Sequence, residues 1–127
     1  MTETPRGSKL HAAEVTTREG VVLARLVGPG IEEHRGEAIV AAVRPAIEQA
    51  GDAMRFLVLD FAEVRFINSS GLASCIALRN ELNDKGVVTI AYRLSDDLLA
   101  MFRNVKIDQL FQIAATPAEL EGSFTPS

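Results

Sequence analysis

The sequence predicts a single α/β domain, a mixed and mostly parallel sheet with helices packed against it, in the order β-β-α-β-α-β-α-β-α. Three observations carry this. Short apolar runs without a helical stripe, Phe56 to Phe61 (FLVLDF) and Val87 to Tyr92 (VVTIAY), alternate with segments whose apolar residues recur near a 3.6-residue period. Two strand-like segments near the start are joined by so short a link that a hairpin is the natural pairing. The chain has 127 residues, 47% hydrophobic and 24% charged, an ordinary globular mixture long enough to bury one core.

Residues 1–9 are polar and hold Pro5 and Gly7, so a disordered tail is expected there, with the folded domain over 10–121 and a second tail over 122–127. Leu10 to Val15 is a weakly alternating first strand, and Arg18-Glu19-Gly20 is a turn. Val21 to Val27 is β-branched and apolar, interrupted by Arg25 alone, and is stopped by Gly28-Pro29-Gly30. Glu32 to Ala50 carries a helical stripe of Ile39, Val43, Ala46, Ile47 and Ala50. Pro45 lies inside it, and its missing N–H and ring clash predict a kink or break.

FLVLDF is the next strand, and a helix is expected over Leu72 to Asn83 with Leu72, Cys75, Ile76, Leu78 and Leu82 inward and Ala73, Ser74 and Ala77 on the outer side. Lys85-Gly86 ends it, a cation and then glycine. After VVTIAY, Ser95 caps a helix whose first turn holds Asp96 and Asp97, where acids favour the positive end. Gln109 to Ile113 is a last short strand, and Thr116-Pro117 opens a final helix.

Composition excludes several functions. Thirteen basic residues against seventeen acidic give a net charge of -4, and without a basic stripe a nucleic-acid partner is not expected. Cys75 is the only cysteine, so no intrachain disulfide is available, and its place on an apolar stripe marks a buried, inert thiol. No apolar run reaches the length of a membrane span, and Met1 to Lys9 lack the apolar segment of a secretory signal. A cytoplasmic protein without direct membrane insertion is the expectation. His11 and His34 have no cysteine or acid cluster at metal-ligand spacing, and phosphate-loop, dinucleotide and nucleophile-elbow motifs are absent. No catalytic group, metal or cofactor is therefore expected. Asp60 closes its strand, where a short acid can accept from a neighbouring loop, but no partner for it can be read from sequence.

One segment stands apart. Phe66-Ile67-Asn68-Ser69-Ser70-Gly71-Leu72 places two hydroxyls between an apolar pair and a helix start. Helix starts leave N–H groups unpaired and favour anions, so a phosphate on either serine would be tolerated by the helix. The alternative is purely structural: Asn or Ser caps the helix, and Gly71 permits close packing.

With Val58-Leu59-Asp60 and Val64 before it, this segment resembles the signature of bacterial anti-sigma-factor antagonists, which are STAS domains also found in sulfate-transporter tails. The likeness spans roughly Ala13 to Leu120 and includes the element order. It implies a STAS-like domain that binds an anti-sigma factor, itself an ATP-binding serine kinase that phosphorylates the first serine of the motif. That serine is Ser69, with Ser70 its neighbour. The resemblance further places Glu32, Asn68, Ser69, Ser70, Gly71 and Ser74 at the partner surface, Glu32 standing where the family usually has Asp. It leaves the oligomeric state open. The main departure is Asn68, generally Asp in the family, which cannot act as a carboxylate toward the serine hydroxyl. A non-catalytic subunit or regulator of a membrane transporter or stress-signalling scaffold is the other role the resemblance implies.

Overall fold

A computed structural model describes residues 12–32 and 34–124. Strands β1 (Ala13–Arg18) and β2 (Val21–Leu26) form the expected hairpin, Ala13 opposite Leu26 and Arg18 opposite Val21. The turn residues Glu19 and Gly20 both have positive φ, 50° and 84°, the geometry that gives a two-residue hairpin turn its twist. β1 starts three residues later than the sequence suggests, and the expected tail at 1–9, with Leu10 and His11, lies outside the described residues.

After β2 come β3 (Gly30–Ile31) and α1 (Arg35–Ala50), a single-turn 3-10 segment (Gly51–Ala53), β4 (Phe56–Asp60), β5 (Phe66–Ile67) and α2 (Ser69–Asn83). The chain continues through β6 (Val88–Tyr92), α3 (Asp96–Asn104), β7 (Gln112–Ala114) and α4 (Pro117–Phe124). The main sheet has the order β1-β2-β4-β6-β7, antiparallel in the hairpin and parallel elsewhere. Each parallel step moves one way across the sheet, so α1, α2 and α3 lie on one face. Ile39, Val43, Cys75, Leu78, Leu82, Leu98 and Phe102 pack there on Val22, Ala24, Leu57, Leu59 and Ala91. Phe102 meets Phe61 edge-on, centroids 6.0 Å apart. α4 lies on the opposite face, where Leu120 and Phe124 pack on the cluster of Val58, Ile90, Tyr92 and Ala114.

Three sequence expectations are corrected. α1 is not broken at Pro45: it runs unbroken from Arg35 to Ala50. Pro45 and Ala41 are both exposed, so the carbonyl that loses its donor faces water rather than the core. α1 also starts at Arg35 rather than Glu32, because Ile31 is taken into β3. α4 extends to Phe124, whose ring packs on Phe56 with centroids 5.1 Å apart, so residues 122–124 belong to the fold and not to a tail.

β3 and β5 form a separate two-stranded parallel ribbon, Gly30 opposite Phe66 and Ile31 opposite Ile67. Two-residue strands carry no periodic signal, and this pairing was not legible in the sequence. Among the described residues, no helix is long and apolar enough to cross a membrane.

Candidate functional site at the start of α2

The site begins with backbone pairing. Ile31 and Ile67 are both buried, which anchors the ribbon to the core and leaves residues 32 and 68 side by side at its end. The Asn68 N–H donates to the Ile31 carbonyl at 3.0 Å. Asn68 is extended (φ -89°, ψ 176°), and its side-chain oxygen accepts from the Gly71 N–H at 2.8 Å. That is the N-cap bond, and it fixes where α2 starts. Ser69 and Ser70 fill the first two helical positions and are exposed. No acid occupies this first turn, so the partial positive charge of the helix start is not offset from within α2.

Gly71 is buried because the helix start is pressed onto the ribbon. A Cβ there would stand 2.7 Å from the Ile31 Cγ2 and 2.8 Å from its carbonyl oxygen. The side facing α1 is equally tight. A Cβ on Gly36 would stand 2.7 Å from the Ser74 Oγ and 3.0 Å from the Gly71 Cα. Ser74, expected on the outer side of α2, is therefore half-buried beside α1, and its hydroxyl donates to the Ser70 carbonyl at 3.4 Å. Ala73 and Ala77 are exposed as expected. Two helical turns farther, Arg44 on α1 donates two hydrogen bonds to Glu81 on α2, at 2.8 and 3.1 Å, and holds that carboxyl below its ordinary range.

The six residues assigned to the partner surface thus gather at one corner of the molecule. Asn68, Ser69, Ser70 and Gly71 form the cap and first turn, Glu32 projects from the adjoining ribbon end as an exposed acid, and Ser74 sits one turn on. His34 stands just before α1, almost fully exposed and 3.6 Å from Glu37. The Cys75 thiol is buried, and burial pushes its pKa up to about 12.

Sequence reasoning missed two features here. Asp60 is 2% exposed and is clamped by Arg93, which donates from Nε at 3.2 Å and from the guanidinium end at 2.6 Å. Asp60 also accepts from the Ala62 N–H at 3.0 Å, which ties down the loop leading to β5. An acid at a strand end was the available signal, but its partner comes from the neighbouring strand's end, and Arg93 takes a positive φ of 60°. The second is Phe66, whose ring is half-exposed and lies over Gly30 on the ribbon that carries the site.

Residues 12–120 match the STAS domain family model, and the chain belongs to that family. Among solved structures, it is similar to the phosphorylated form of SpoIIAA, a Bacillus cell fate determinant, with a TM-score of 0.67 and 23% identity over 90% of this chain and 100% of that one. An anti-sigma-factor antagonist (STAS) domain protein from Planctomyces limnophilus gives a TM-score of 0.74 at 18% identity, covering 86% of this chain and 94% of the other. The murine Slc26a9 anion transporter gives 0.70 at 15% identity, covering 82% of this chain and 17% of the transporter.

Proposed function

We propose that this protein is a cytoplasmic anti-sigma factor antagonist that binds a kinase-type anti-sigma factor and is switched off by phosphorylation at Ser69. The observation that carries the reading is the exposed Ser69 at the first position of α2, with the exposed Glu32 at the end of the adjoining ribbon. Unmodified, the loop from Asn68 to Gly71 and the accessible side of α2 dock on the partner and free the sigma factor. The partner then transfers the γ-phosphoryl group of its ATP: the bond to the ADP oxygen breaks, a bond to Ser69 Oγ forms, and the hydroxyl proton passes to a base on the partner or to water. This chain supplies the acceptor, not the catalytic machinery.

The product carries roughly -1.5 to -2 charges at neutral pH. The helix start tolerates this charge, since N–H groups and the macrodipole favour an anion there. Within the interface, however, the dianion must be desolvated and faces any partner acids, including one accustomed to meeting a neutral hydroxyl. A loss of about 3 kcal/mol weakens binding by more than a hundredfold.

The test uses the purified ATP-binding anti-sigma protein encoded in the same genome. Ser69→Ala is expected to bind it and take up no phosphate; Ser69→Asp is expected to bind less well. Unchanged labelling of Ser69→Ala by mass spectrometry removes Ser69 from the role.

A second reading is favoured by Asn68. Its side-chain oxygen is engaged at Gly71, and its amide offers no carboxylate to the neighbouring hydroxyl. A permanent STAS subunit or regulator of a membrane transporter or stress-signalling scaffold needs no such group. A stable complex of that kind, indifferent to ATP in pull-down and size-exclusion chromatography, would favour it over the switch.

A further inference from the structure

We infer that Phe66 is an apolar anchor by which the kinase-type anti-sigma partner grips this chain next to Ser69; this rests on the reading proposed above and names a contact within it. Phe66 is 49% exposed, the only aromatic among the large exposed hydrophobic residues of the described chain. Scattered exposed aliphatic residues such as Val88 and Val105 are ordinary, but a half-exposed aromatic ring held in one place is a different object.

Its position is built. β5 is parallel to β3 with Phe66 opposite Gly30, and a Cβ on Gly30 would stand 2.2 Å from the ring. The ring therefore packs against the bare backbone of Gly30, while Phe66 as a whole stays half-exposed. Backbone hydrogen bonds from Arg65 and Phe66 to the Pro29 carbonyl, at 2.7 and 3.2 Å, hold the strand in this register. An aromatic fixed in this way loses little conformational freedom when a partner covers it.

Continuity with the phosphorylation site identifies what covers it. The same two-residue strands are followed immediately by Glu32 and Asn68, and Ser69 comes next after Asn68. Ring, acid and hydroxyl thus come from one small rigid ribbon and the helix start pinned to it by the Asn68 N–H bond to Ile31. A protein that reaches Ser69 Oγ with its nucleotide must pass over this corner. An apolar pocket on that protein would cover Phe66 while Ser69 is presented.

The test is steady-state phosphorylation of the full chain by the purified anti-sigma kinase, comparing wild type with Phe66→Thr and Phe66→Leu. Threonine keeps a strand-forming residue at the position, and leucine keeps apolar cover over Gly30. An anchor that binds substrate and transition state alike predicts a KM raised about tenfold or more for Phe66→Thr, a smaller rise for Phe66→Leu, and an unchanged kcat for both. An unchanged KM overturns the inference. So does a fall in kcat at constant KM, which would show that the ring only holds the ribbon and so positions Ser69. If wild type itself takes up no phosphate on Ser69, the underlying reading has failed, and this inference falls with it.

Discussion

Asn68 does two jobs at the scale of a single residue. Its backbone N–H closes onto the ribbon at Ile31, and its side-chain oxygen closes the first turn of α2 at Gly71. The sequence offered Asn or Ser as a cap without choosing between them, and it began the helix at Leu72, three residues after its actual start at Ser69. It could not show which of the two serines would be better presented, since both are exposed. Thr89 shows the opposite case, a polar atom with no evident use. It is 3% exposed on β6, and its hydroxyl has no hydrogen-bond partner. Burying such a group costs about 1–3 kcal/mol. Thr89→Val keeps the shape and the strand preference, so it is expected to stabilise the fold by about 1 kcal/mol, read as a higher urea midpoint with an unchanged slope.

Between elements, the close approach of α1 and α2 determines where the site sits. Gly36 and Gly71 leave room for Ser74 and Ile31, and an added methyl at Gly36 would meet Ser74 at 2.7 and 2.9 Å. Gly36→Ala is expected to destabilise by about 1–3 kcal/mol in chemical denaturation, because the helices must separate to admit it. The sequence was informative about α2, α3 and the central strands, whose length and apolar pattern are unambiguous. It was silent about β3 and β5, because two residues do not make a period and their pairing is set by a contact 36 positions away along the chain. It misjudged Pro45, since the rule against proline in a helix holds most strongly where the freed carbonyl is buried. Ser74 was misplaced for a related reason: a helical wheel shows which side faces the sheet, but not that a neighbouring helix covers part of the rest.

At the scale of the whole molecule, one face of the sheet is packed by three helices and the other by α4, and the exposed Ser69 lies at the start of α2, at the carboxyl end of the parallel strands. Cys75 reports on the integrity of this packing. Burial raises its thiol pKa to about 12, so the fold favours the neutral form. That contribution is complete below the unfolded thiol's pKa of about 8.5 and is lost as pH rises toward the folded value. Thiol labelling at pH 8 is therefore expected to follow global unfolding, with the rate rising in step with the unfolded fraction in urea; rapid labelling in native buffer would contradict the packing.

On the proposed reading, charge placed on Ser69 Oγ changes partner binding and not the fold. Calorimetric titration of the kinase-type anti-sigma protein with the full chain, unmodified and stoichiometrically phosphorylated at Ser69, measures this directly. Matching thermal melting of the two forms is expected, with affinity more than about a hundredfold weaker for the phosphorylated one. Equal affinity of both forms, or unfolding of the phosphorylated one, would contradict it.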